Sequence, residues 1–214
     1  MHNFCSSDLS AFYFDIRKDA LYCDRPDSLR RRACRTVLDH LHRCLCTWLA
    51  PVLVFTAEEA WTARFGEHAG SEARGADESV HLHDFPAIPE SWRDDELGAR
   101  WEAIRELRRL GTTELEAMRA DKRIGSSNQA VVTLALPDEQ AGLLSAEAWS
   151  DILIVAGATV EHAAAPAARA SVAPGIKCER CWKVLTEVGS VAAHPTLCLR
   201  CADAVESGPV CPGS

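Results

Sequence analysis

Apolar side chains recur at three- and four-residue steps through most of the first 125 positions, the spacing of one helical face. In residues 8–24, Phe12, Ile16 and Ala20 share a stripe, with Phe14 and Leu21 nearby and Asp15, Arg17, Lys18 and Asp19 on the rest. Phe12, Tyr13 and Phe14 read as core packing. Asp8 or Ser10 supplies a cap, Arg25-Pro26-Asp27-Ser28 a break, and Ser28 an N-cap for the next helix. Residues 29–50 give the clearest helix: Ala33, Val37, Leu38, Leu41, Leu45, Trp48 and Leu49 line one side, and Arg31, Arg32, Arg35, Asp39, His42 and Arg43 populate the other. Pro51 interrupts it. Thr56-Ala57-Glu58-Glu59 has the form of a capping box and predicts a helix from Thr56 through Trp61 to Phe65. Residues 66–77 read as a polar, Gly-rich loop, and His81-x-His83 as part of an extended segment. After Trp92 the helical pattern resumes at Leu97, Trp101, Ile104, Leu107 or Leu110, Leu115 and Met118. It is expected to bend or break at Gly111-Thr112-Thr113 and to end near Gly125. Helices with a single apolar stripe must bury it, so a bundle over residues 1–125 is the expected solution.

The period then changes. Residues 130–136 (AVVTLAL) read as a strand, 138–150 as a helix, 151–156 (DILIVA) as a second strand and 159–161 as a third. This predicts a small α+β module over residues 126–162. Residues 163–174 (AAAPAARASVAP) read as a semi-rigid linker, residues 175–205 as a metal-bound finger and 206–214 as a tail. The expected fold class is mainly α: a helical bundle, then a small α+β module and a four-cysteine finger.

The finger rests on two Cys-x-x-Cys pairs, Cys178 with Cys181 and Cys198 with Cys201, sixteen residues apart. Such turns aim paired thiolates at one ion, and this spacing reads as a zinc site rather than a disulfide framework. With cysteine at all four positions no coordination site stays open, so the metal is structural. Iron is the alternative metal, since tetrahedral sulfur ligation suits both. Residues 182–185 and 187–188 are expected to form a hairpin around Gly189-Ser190, with a turn at His194-Pro195. His68, His81 and His83 lack matching partners and are not read as ligands.

Composition adjusts this picture in two places. Ten cysteines would suit secretion, but no basic start followed by an apolar run opens the chain. A reducing cytoplasm with metal-bound thiolates fits better. Cys23, Cys34, Cys44 and Cys46 then read as small buried residues, while Cys5 and Cys211 have no evident role. No apolar stretch reaches membrane-spanning length. The net charge of −8 is confined: residues 57–96 carry 11 acidic against 3 basic groups, and the remainder holds 20 of each sign. Basic residues gather at Lys177, Arg180, Lys183 and Arg200, and again at Arg30, Arg31, Arg32 and Arg35. Local basic faces hold phosphates even on an acidic chain. Gly-rich nucleotide loops, His-Glu-x-x-His and Gly-x-Ser-x-Gly are all absent, so the residues themselves describe a binding module.

Five segments in order carry a resemblance: DLSAFYFDIRKDALYCD, RRACRTVLDHL, WLAPVLVFTAEEAW, MRADKRIGSSNQAVVTLAL and KCERCW…LCLRC. Together they resemble the C-terminal part of the bacterial isoleucyl-tRNA synthetases, over nearly the whole chain. The resemblance implies an anticodon-binding helical region, truncated at its start, followed by a finger shared with certain DNA-repair glycosylases. It implies isoleucine tRNA as partner, one structural Zn²⁺, and a cytoplasmic, monomeric parent enzyme that joins isoleucine to its tRNA using ATP. The HIGH and KMSKS signatures of that family are missing here, so the chain alone is expected to be inactive. On this reading Trp182 stacks on an unpaired base, Arg180, Lys183 and Arg200 hold phosphates, and Arg31, Arg32 and Arg35 do so from the helix. Two alternatives are a nucleic-acid-binding finger of the repair-glycosylase type, which looks for an N-terminal proline where this chain has Met-His, and a zinc-stabilised protein-interaction module.

Overall fold

A computed structural model describes residues 1–65 and 79–208. The loop expected at 66–77, with His68, and Cys211 lie outside the described residues. Contacts divide the chain into two bodies, residues 1–31 with 94–214, and residues 32–93. The helical region expected as one piece over 1–125 is therefore divided. Among the described residues no helix is long and apolar enough to cross a membrane.

In the first body a π-helical stretch, Phe4–Phe14, runs directly into helix α1, Asp15–Cys23. Phe12 meets Trp101 edge-on at 6.2 Å, and Ile16 and Ala20 are buried, as the stripe predicts. Phe14 departs from the expectation: it is exposed. The second body takes most of its described residues from helices α2, Leu29–Leu49, and α3, Val54–Phe65. Its core is Cys46, Ala50, Ala57, Trp61, Phe65 and Val80. The capping box expected at Thr56 does not form. A tight turn after Pro51, with Leu53 N bonding Leu49 O at 2.7 Å, feeds the chain into helix two residues earlier. Glu58 instead accepts from Ser79 Oγ and Val80 N. That holds residues Val80–Leu82 as a 3-10 turn where an extended segment was expected.

Helix α4, Asp95–Ala120, belongs to the first body and passes Gly111 without a break. A Cβ at Gly111 would sit 2.6 Å from Leu153 Cδ2, so the glycine is a packing notch rather than a hinge. The helix closes when Arg123 N reaches Met118 O at 2.9 Å, with Lys122 left-handed at φ 58, a Schellman-type ending.

Strand β1, Ala130–Leu136, lies where its β-branched run predicts and alternates buried and half-buried positions. Helices α5, Asp138–Ala141, and α6, Ala146–Leu153, then carry the chain over to strand β2, Gly157–His162, which pairs parallel with β1, Val131 opposite Gly157. A parallel pair demands such a crossover. Two expectations are corrected here. Residues 151–156 do not form a strand: Ile152 and Leu153 finish α6 as buried residues beside Trp149, and Ile154 ends it in the left-handed region. Short apolar runs fit a buried helix and a buried strand equally. Residues 163–174 are not a free linker either. Ala167–Val172 is strand β3, antiparallel to β1 with Ala130 opposite Val172, so the sheet order is β2-β1-β3. Its alanines pack Ala168 and Ala170 against the core without the β-branched signature. The sheet, α4, α6 and Ile16 of α1 enclose the main core around Trp149, Ile104, Leu115 and Leu134.

Candidate metal centre

The finger begins with strand β4, Ile176–Lys177, paired antiparallel with β5, Val184–Leu185. The first cysteine pair therefore sits in the turn of this hairpin, and residues 187–190 form a turn rather than the hairpin expected around Gly189. Cys178 N bonds Lys183 O and Trp182 N bonds Cys178 O, each at 2.9 Å. Trp182 closes the knuckle in the left-handed region at φ 66. The second pair opens helix α7, Leu199–Glu206: Cys198 is its N-cap and Cys201 lies in the first turn, where the helix dipole favours thiolate.

Gly175 makes the hairpin possible. Its φ is 115°, and a Cβ there would lie 2.3 Å from the Leu185 backbone carbon. No side-chain rotation relieves a clash with backbone, and the φ adds strain of its own. Gly175→Ala is expected to separate β4 from β5 and to weaken zinc binding by about tenfold or more, since strain costs about 1–3 kcal/mol. Competition with a chelating dye reads this directly.

All four cysteines are buried and their sulfurs lie within 4.8 Å of one another. Zinc–sulfur bonds of about 2.3 Å place the corners of a tetrahedron about 3.8 Å apart. The Cys181 and Cys198 sulfurs are 3.8 Å apart, far beyond the about 2.05 Å of a disulfide. Cys198 N donates to Cys178 Sγ at 3.4 Å and Arg180 Nη1 to Cys201 Sγ at 3.6 Å. These donors fit a closed, structural zinc site: Cys178, Cys181, Cys198 and Cys201 would hold the ion, which supplies folding energy and no reactive position.

The other expected site residues separate into two groups. Trp182 is 61% exposed, with Lys177 Nζ 5.6 Å from its ring. Arg32 and Arg35 are exposed as well, and no ion pair holds them among the described residues. The remaining expected cations have partners within the chain. Lys183 is only 9% exposed, with Asp151 3.8 Å away. Arg200 grips Asp19 and Asp24, and Asp19 stays below the usual carboxylate range: burial works to raise it, and the Arg200 bonds and charge prevail. Arg180 bonds the carbonyls of Tyr22 and Cys23, and Arg31 that of Asp24. The reason is physical: a half-buried guanidinium needs partners, and the carboxylates and backbone carbonyls of α1 and its following turn provide them. Asp19, Cys23 and Asp24 escape a sequence reading because no spacing rule ties them to residues some 180 positions away. A cavity of about 450 Å³ opens beside the knuckle, lined by Ile16, Lys18, Tyr22, Asn128, Ile154 and Trp182 among others.

Residues 1–134 match the model of the anticodon-binding domain of tRNA ligases, and residues 175–204 that of the zinc finger found in FPG and IleRS. The chain belongs to the anticodon-binding-domain family of tRNA ligases, and its metal centre is the structural zinc site of that finger type. It is 56% identical over 211 residues to an isoleucine–tRNA ligase of Gluconobacter oxydans, an alignment covering 97% of this chain and 21% of the relative. Similar enzymes of Agrobacterium fabrum (42% over 216 residues; 95% and 21%) and Neisseria meningitidis (44% over 210; 96% and 22%) also match. The chain spans about a fifth of the length of these relatives.

Proposed function

We propose that the chain is the tRNA-binding C-terminal part of an isoleucine–tRNA ligase, the enzyme that joins isoleucine to its tRNA with ATP. The observation that carries this reading is the presence, in one chain and in order, of the anticodon-domain match and the finger match. The 214 residues contain neither HIGH nor KMSKS, so their contribution is recognition, and the chain by itself is expected not to charge tRNA. The partner is isoleucine tRNA, the compartment the cytoplasm, and the parent ligase a monomer. The repair-glycosylase reading has nothing to account for the match over residues 1–134.

Anticodon loops present unstacked bases and backbone phosphates. Trp182 is the base-stacking residue, held by the knuckle with its face in solvent, and Arg32 and Arg35 contact phosphates. Arg31, Arg180, Lys183 and Arg200 serve from behind by fixing the surface. Trp182→Ala is expected to weaken tRNA binding by roughly 5- to 160-fold, from about 1–3 kcal/mol of stacking, with zinc content unchanged. Unaltered affinity would remove Trp182 from the interface. Binding should also fall steeply as salt rises, and a flat salt response would favour a protein-interaction module.

A further inference from the structure

Two arginines of the finger, Arg180 and Arg200, point at the end of α1. That helix stops at Cys23, because Asp24 is extended at φ −73, ψ 157. The last carbonyls of a helix have no amide partners of their own. Arg180 takes two of them: Nη1 reaches Cys23 O at 2.5 Å and Nη2 reaches Tyr22 O at 3.0 Å. The same Nη1 stands 3.6 Å from Cys201 Sγ. One guanidinium thus spans a metal-ligand sulfur and a helix C-terminus, whose dipole favours a cation there. Cys23 returns the contact. Its thiol lies 3.9 Å from Arg180 O, is 6% exposed and packs in one cluster with the four ligands. Around this pair, Arg200 Nη2 binds Asp19 at 2.8 Å and Nη1 approaches Asp24 at 3.2 Å. Arg30 takes both oxygens of Asp24 at 2.7 Å, although that carboxylate is only 6% exposed.

We propose that Arg180 and Cys23 are positioning residues that make zinc occupancy and closure of the α1 C-terminus one linked event, so that the finger is a clasp on residues 19–31. Zinc with four thiolates carries an excess of two negative charges. Arg180 meets that charge with one edge and the helix carbonyls with the other. Without the ion the sulfurs are no longer fixed, and the guanidinium loses the partner that aims it. Coupling of this kind is reciprocal: whatever zinc lends to the end of α1, the closed end of α1 lends to zinc. The clasp stands on the geometry of the metal centre and is independent of the tRNA reading.

The test is amide exchange over residues 19–31 in the full chain, zinc-loaded and chelated, beside zinc release to a chelating dye. In the unaltered chain, chelation should speed exchange at 19–31 about tenfold or more while β1 stays protected. Arg180→Gln should keep one zinc per chain yet exchange at 19–31 like the chelated protein. Arg180→Gln and Cys23→Ala should both release zinc about tenfold faster, the range seen when partners of metal ligands are removed. Arg169→Ala, in β3 and paired with Glu161, should change neither readout. Undiminished protection in zinc-loaded Arg180→Gln, or no response of residues 19–31 to chelation, would overturn the proposal. Should Arg180→Gln fail to take up zinc, Cys23→Ala keeps all four ligands and the guanidinium, and its zinc-release rate decides between the same alternatives.

Discussion

Cys178→Ser is expected to empty the finger of metal and unfold it. Cys178 is fully buried, and its sulfur accepts the amide of Cys198, which opens α7. Serine offers zinc a harder, shorter donor that stays protonated near neutral pH, so it is a poor fourth corner. Structural zinc supplies about 10–16 kcal/mol to small finger peptides. The finger's own structure is two strands of two residues and one helix of eight, and its only buried cluster among the described residues consists of the ligands with Cys23 and Val188. So small a module has no other source of stability of that size. Metal analysis should give less than about a tenth of a zinc per chain, and limited proteolysis should open residues 175–206. The three-stranded sheet should survive, because its core draws on α1, α4 and α6 and not on the finger. Full zinc content with unchanged resistance would contradict this account.

Trp149→Ala is the second large effect, and it falls on the sheet. Trp149 is fully buried at the centre of the main core. Its indole N–H is buried without a hydrogen-bond partner, so truncation sacrifices no bond. The loss is burial and packing alone, about 3–5 kcal/mol for a Trp→Ala change. Trp149→Phe should cost less, since much of the volume remains. Urea unfolding followed by circular dichroism should show the midpoint fall for Trp149→Ala by more than for Trp149→Phe, at an unchanged slope. A loss under about 1 kcal/mol would place Trp149 outside the core.

The sequence was legible where the determinant is local. Helix α2 shows its length because apolar residues recur at helical steps up to Pro51, but its buried positions are Cys34, Cys44, Cys46 and Thr47, and Val37 of the expected stripe is exposed. Strand β1 shows its bounds because seven β-branched and apolar residues lie between Gln129 and Pro137. The four zinc ligands show themselves because Cys-x-x-Cys is a single turn. Legibility failed where a contact distant in sequence decides the outcome. Gly111 reads as a break until Leu153 is seen to fill the space a Cβ would need. Ala167–Val172 reads as a linker because its strand character comes from β1's hydrogen bonds rather than its own side chains. Ile152 and Leu153 read as strand because a short apolar run has no period of its own. The internal partners of the finger's cations are hidden from the sequence for the same reason. Charge is visible in sequence, and the carboxylates and carbonyls that engage it, at Asp19, Tyr22, Cys23 and Asp24, are not. Trp182 and the pair Arg32 and Arg35 are assigned to RNA by sequence and stand exposed in the fold, and the proposed function retains them.

The central claim is that this chain reads a tRNA anticodon. The most direct measurement is titration of the zinc-loaded chain with isoleucine tRNA and with the same tRNA carrying a changed anticodon, at one salt concentration. Tighter binding to the native anticodon is expected, by about tenfold for each 1.4 kcal/mol of base-specific interaction that the change removes. Equal affinity for both would contradict the claim and leave only phosphate attraction without recognition.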